Sequence, residues 1–239
     1  MKNAVISTLI CTAILTACSN PDAKEHEYVD LGLSVKWATV NIGASSPEDC
    51  GDYFAWGEVK HKGSTEEYTE EDYKWREKGA LTKYNFKHKL GMVDNKYELD
   101  MTDDAAHENW GGSWRVPTSE EIKELVDRCT WEDTSINGRR GYKVTGPSGN
   151  SIFLPAAGSP WGRNFIGGYY DNILLDELGY YWSKSLYKDD EGWNCFEANA
   201  LFFSVEEHES DDILYQRKKE VKLIRHFRGA GFSIRPVCP

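Results

Sequence analysis

The sequence predicts an α+β domain built on short, twisted antiparallel strands. Three observations predict it. Thr118 to Cys129 carries a complete helix signature. Short runs rich in β-branched and aromatic residues follow it, punctuated by Gly, Pro and Asn. Nine Trp, thirteen Tyr, nine Phe and twenty-one Gly among 239 residues describe a loop-rich fold with packed aromatics, not a disordered chain. With no internal repeat and no long Pro/Ser linker, residues 28–239 read as one domain.

The elements follow in chain order. Met1-Lys2-Asn3 is a short positive start, and Ala4 to Ala17 is an apolar stretch too short to span a bilayer. Residues 1–17 therefore read as a secretory signal. Its end, Leu15-Thr16-Ala17-Cys18, resembles a bacterial lipobox, which implies lipidation at Cys18 and anchoring by acyl chains (palmitate among them). Residues 18–27 then form a lipidated tether. Val35 to Val40 reads as a strand and Asn41 to Pro47 as a turn. Asp52 to Val59 is aromatic and ambiguous between helix and strand. Lys60 to Glu108 reads as a long, partly structured excursion.

Thr118 followed by Glu121 fits a capping box. Ile122, Leu125, Val126 and Cys129 recur at helical spacing and give the helix one apolar face. Gly141 to Thr145, Ile152 to Leu154, Tyr181 to Ser183, Cys195 to Ser204 and Phe232 to Val237 read as strands. Phe196, Ala198, Ala200 and Phe202 alternate onto one face. Between the last two strands, an acidic run (Glu206-Glu207, Asp211-Asp212) precedes Arg217-Lys218-Lys219 and reads as a solvated loop.

Charge and cysteines bound the function. A net charge of −11 argues against nucleic acid and against adsorption to anionic lipid through a basic patch. Beyond Cys11 and Cys18, four cysteines remain: Cys50, Cys129, Cys195 and Cys238. An exported compartment permits disulfides, and four cysteines allow three pairings. Cys/His spacing typical of zinc does not occur. His26, His61, His88, His107, His208 and His226 are scattered in polar surroundings, and most of them read as exposed.

Six strings carry a family resemblance: Tyr28 to Asn41, Gly51 to Val59, Asp103 to Glu121, Gly141 to Pro155, Gly179 to Ser185 and Phe232 to Val237. Together they resemble the Fibrobacter succinogenes major paralogous domain family, common in exported lipoproteins of gut Bacteroidetes. The resemblance implies a C-type-lectin-like fold, a small twisted sheet flanked by one or two helices, with adjacent termini and an irregular ligand-bearing region. It also implies distant kinship with formylglycine-generating (sulfatase-modifying) domains, which share a Trp-Arg-hydrophobe-Pro-Thr string, here Trp114 to Thr118. Trp37, Trp56, Trp110, Trp114 and Trp182 fall inside the family strings and are assigned to the core. Arg115 and Arg235 are assigned to structural pairs, and Gly111 and Gly112 to special backbone angles.

The kinship does not carry the enzyme activity here. Formylglycine-generating oxidases use a reactive, copper-binding Cys pair close in sequence, and Cys195 and Cys238 stand alone. No catalytic or metal residues are assigned, and no cofactor is expected. Trp193-Asn194 resembles the start of the Trp-Asn-Asp calcium string of lectins, but Cys195 follows in place of Asp. Binding candidates are Trp161, Arg163, Asn164, Tyr169 and Tyr170 in glycine-flanked loops. By analogy with lectin-like lipoproteins whose ligand surface precedes a closing Arg-Pro strand, Tyr187, Trp193, Asn194, Glu197 and Arg228 join them. The expected protein is a non-catalytic outer-membrane lipoprotein, facing the surface or the periplasm. It would recognise a glycan or a surface protein, as in adhesion. The competing expectation is a structural or assembly component of an outer-membrane complex. The ligand and the oligomeric state stay open.

Overall fold

The computed structural model describes residues 26–62, 68–160, 177–190, 192–206 and 219–239. In chain order these form β1 (Tyr28–Val29), β2 (Lys36–Ala38), β3 (Arg76–Glu77), β4 (Ala80–Leu81), α1 (Ala105–Trp110) and α2 (Ser119–Arg128). Then come β5 (Thr130–Ile136), β6 (Arg139–Thr145), β7 (Ser151–Pro155), β8 (Leu178–Asp189), β9 (Gly192–Ser204), β10 (Glu220–Phe227) and β11 (Val237–Cys238). The four small sheets are ordered β1-β2-β11, β3-β4, β5-β6-β7 and β10-β9-β8. Their strand pairs are antiparallel, so the fold class is α+β.

The β10-β9-β8 sheet lies between two cores. Successive strand residues point to opposite faces. Even-numbered Tyr180, Trp182, Leu186, Ala198, Ala200 and Ile224 pack with Trp56, Tyr84, Trp110, Trp114 and Phe232. Odd-numbered Tyr181, Leu201, Phe203, Val221 and Leu223 pack with Trp37, Ile122, Leu125, Val144 and Leu154. Both faces are covered, which is why Ala198 to Phe203 is almost continuously apolar. Phe196, expected on the face shared with Ala198, sits past the end of that core and is 37% exposed.

α2 forms as its cap predicts. Glu121 N–H donates to the Thr118 hydroxyl at 3.1 Å, and Thr118 N–H donates to the Glu121 carboxylate at 2.8 Å. The same carboxylate takes two bonds from Arg115, at 2.7 and 2.5 Å. Ile122 and Leu125 are buried against the second core. α1 was not anticipated. Asp104 caps it, accepting from Ala106 N–H and His107 N–H at 3.0 Å each. Asp104 also accepts from Val116 N–H at 3.0 Å, which ties α1 to the entry of α2.

The ends of the domain meet in one sheet: β2 pairs with β1 on one side and β11 on the other. Arg235 is buried behind it, donating to Asn41 Oδ1 at 2.8 Å and to the Ala38 and Thr39 carbonyls at 3.2 Å. All five tryptophans assigned to the core are buried. Gly111 and Gly112 take positive φ, 71° and 60°.

Other expectations change. Asp52 to Val59 is neither helix nor strand: it makes a single bridge, Phe54 to Phe232. Indole bonds fix it instead, Trp56 Nε1 to the Ser183 carbonyl and Trp182 Nε1 to the Phe54 carbonyl, both 2.8 Å. In the excursion, Tyr68, Tyr73, Leu81, Tyr84 and Leu99 are buried anchors. β5 and β10 form on residues to which sequence reasoning assigned no element. The run that reads as a solvated loop lies outside the described residues except for its ends. Lys219 meets Asp133, and Glu206 meets Arg140. The strand expected over Phe232 to Val237 reduces to β11, because the preceding residues make only isolated bridges. The disulfide expectation is corrected: Cys50, Cys129, Cys195 and Cys238 are all thiols. They sit on separate elements. Cys195 Sγ accepts from Phe86 N–H at 3.4 Å, and Cys129 lies at the C-terminus of α2, its thiol pushed up to about 11 by burial.

Candidate functional site

The β8–β9 hairpin ends in a tip where Asp189 pairs with Gly192 and Lys188 with Trp193. The register shifts between Trp182 and Leu186, and again between Leu186 and Lys188. Such irregularities re-aim side chains at a strand end. Here they leave Tyr187, Asn194 and Glu197 half-buried at one end of the sheet. Phe227 of β10 lies opposite Glu197 and brings Arg225 beside it.

The four side chains form one strip. The Arg225 guanidinium lies 5.0 Å from the Tyr187 ring centroid. Its Nη1 is 3.6 Å from Glu197 Oε2. Asn194 Nδ2 donates to that carboxylate at 2.9 Å, while Asn194 Oδ1 accepts from Phe196 N–H at 2.9 Å. The strip offers an aromatic ring, a cation, a carboxylate and an amide, on backbone held in the sheet. Arg225 was missed by sequence reasoning, because only the β9–β10 register carries it to Tyr187. The available signal was the alternation in Val221 to Phe227.

Arg228 does not belong to the strip. It is 0% exposed. Its Nε donates to Tyr73 Oη at 2.9 Å, and Nη1 donates to the Tyr84 and Cys195 carbonyls at 3.0 and 2.7 Å. Nη2 reaches the Lys83 carbonyl at 3.3 Å. The rings of Trp56 and Tyr73 lie 5.1 Å from it and that of Tyr84 5.9 Å. Arg228 is thus an anchor beneath the tip, with no surface to present to a ligand. Burial raises the phenols of Tyr73 and Tyr84 well above the usual tyrosine range, so both stay neutral donors.

Cys18, Trp161, Arg163, Asn164, Tyr169 and Tyr170 lie outside the described residues, as does the side chain of Trp193. Two of the six histidines are packed, and His208 lies outside the described residues. His26 stacks on Trp110 at 3.8 Å, and His226 lies against Phe232 at 4.9 Å, its pKa lowered by burial. Among the described residues, no group of three or more His, Cys, Asp or Glu could hold a metal ion. No helix among them is long and apolar enough to cross a membrane. The chain matches no protein-family model, no curated protein and no solved structure.

Proposed function

We propose that the protein is a lipid-anchored, non-catalytic binding module with a C-type-lectin-like fold, recognising a glycan through the β8–β9 tip. The observation that carries this reading is the strip Tyr187–Arg225–Glu197–Asn194, surface-facing above and pinned by Arg228 below. A ring face packs against the C–H face of a sugar, and adjacent planar polar groups match neighbouring hydroxyls. Rigid mounting lowers the ordering cost of binding. The fold part of the proposal is supported by Trp114 to Thr118 opening α2 and by β1 and β11 flanking β2. The anchor rests on Leu15-Thr16-Ala17-Cys18.

A second reading, a component of an outer-membrane assembly, is favoured by one observation. Met92, Tyr97 and Met101, exposed 68%, 48% and 64%, fall within one ten-residue segment. Exposed apolar groups so concentrated suit a protein partner.

The test is a screen of the full chain, carried in lipid nanodiscs, against a glycan array and mucins, with calcium and with chelator. Saturable glycan binding lost in Tyr187→Ala supports the first reading. Absence of glycan binding under both conditions rejects it and turns attention to co-purifying membrane proteins.

A further inference from the structure

The β8–β9 tip carries more chemistry than a stacking ring. Asn199, the register partner of Arg225, donates from Nδ2 to the Leu186 carbonyl at 3.0 Å. That bond ties the residue before Tyr187 to the residue opposite Arg225, so ring and guanidinium are held together. Glu197 stands two residues before Asn199 on β9 and meets Arg225 on the diagonal. Both side chains reach solvent, Arg225 at 53% and Glu197 at 29% exposure. Glu197 Oε2 is already committed: it accepts from Asn194 at 2.9 Å and faces Arg225 Nη1 at 3.6 Å. Among the described residues, Oε1 of that carboxylate, the Tyr187 hydroxyl and Arg225 Nε and Nη2 make no hydrogen bond.

The charges of this face limit what can bind. Glu197 offsets Arg225, so the strip offers donors without a net positive charge. At the turn, Asp189 and Asp190 add two carboxylates and Lys188 one cation. A carboxylate or sulfate brought to Arg225 would have to sit beside Glu197, and like charges at that range repel. Neutral hydroxyls meet no such opposition, and each can both donate and accept. One hydroxyl of a vicinal pair can donate to Glu197 Oε1 while the other accepts from Arg225, with the C–H face of the sugar against Tyr187. We propose that Glu197 sets the ligand class of the tip: it admits uncharged glycans whose pyranose presents two neighbouring hydroxyls and rejects sialylated, sulfated and uronic-acid glycans, an assignment that rests on the glycan reading of the tip and narrows it to one class.

The test is an array of matched glycan pairs, each neutral structure beside its sialylated, sulfated or uronate counterpart, probed with the full chain in nanodiscs. The parent protein is expected to bind neutral members at least about tenfold better than their acidic counterparts. Glu197→Gln keeps the shape of the side chain and an acceptor for Asn194 while removing the charge. It should shrink the preference to within about twofold or reverse it, because Arg225 is then uncompensated. Equal or better binding of the acidic members by the parent, or a neutral preference unchanged in Glu197→Gln, overturns this assignment and leaves the tip as a glycan site. A parent that binds no member of the array, or binding that survives Tyr187→Ala, removes the tip reading and this assignment with it. Glu197 is partly exposed and its pair with Arg225 is open, so Glu197→Gln keeps its fold, with an unchanged thermal unfolding midpoint as the control.

Discussion

Arg228 donates to the Cys195 carbonyl at 2.7 Å, and the same nitrogen donates to Tyr84 at 3.0 Å. One guanidinium therefore joins the β8–β9 hairpin to the excursion between β2 and α1. A planar fork is needed, since its nitrogens serve Tyr73, Lys83, Tyr84 and Cys195 at once. Arg228→Met should cost about 3–5 kcal/mol in urea unfolding, because several buried acceptors lose their donor together. Arg228→Lys should recover less than half of it. A loss under about 1 kcal/mol in Arg228→Met would refute the anchoring role.

The bond between Glu121 and Arg115 gives a pH dependence with a definite sign. Burial alone would raise the Glu121 carboxyl, but the bonds from Arg115 and Thr118 N–H outweigh it and hold its pKa below 4.5. A depressed folded pKa contributes stability above the unfolded value, and that stability is lost as pH falls through the folded one. Glu121→Gln should therefore be about 1–2 kcal/mol less stable at pH 7, and the difference should shrink steadily as pH falls below 4.5. Asp104, raised by burial, works in the opposite direction but is common to both proteins and cancels. Parallel stability curves for the two would contradict the assignment.

Gly179 of β8 faces Phe203 of β9. A Cβ at Gly179 would come within 2.1 Å of the Phe203 ring. That ring is packed with Tyr142 and Tyr181 and has nowhere to move. Gly179→Ala should destabilise by about 1–3 kcal/mol through overpacking. The double variant Gly179→Ala, Phe203→Leu should be less destabilised than the two single losses added together. Simple additivity would show that the ring is not the obstacle.

What was legible in the sequence divides along physical lines. α2 was readable because cap, box and apolar face are all local signals. Trp182 and Arg115 were readable because large aromatics and a paired arginine leave few alternatives to burial. α1 is six residues long and has His107 where a capping box needs Glu or Gln, so only the Asp104 cap marked it. β5 was hidden by its charged, mostly exposed face, although Asn137-Gly138 is a strong hairpin signal. β10 was hidden behind the charge run that precedes it. At the site, Tyr187, Asn194 and Glu197, named as binding candidates by analogy, come together because they lie on one hairpin. Arg225 was missed and Arg228 misplaced for one reason: strand register and burial are long-range properties, and the three residues from Arg225 on β10 to Arg228 just past its end decide between surface and interior.

That separation yields the sharpest test of the site. Arg225 is exposed, over the Tyr187 ring, and its Glu197 contact of 3.6 Å is an open ion pair. Exposed pairs contribute about 0–1 kcal/mol. Arg225→Ala should therefore change unfolding stability by less than about 0.5 kcal/mol, while Arg228→Met changes it several-fold more. If the strip binds a ligand, the same Arg225→Ala variant should weaken that binding at least about tenfold, because a cation stacked on the contact ring is lost with its donors. Binding and stability thus separate between two arginines three positions apart. A stability loss in Arg225→Ala matching that of Arg228→Met would make Arg225 a structural residue and remove the cation from the proposed face.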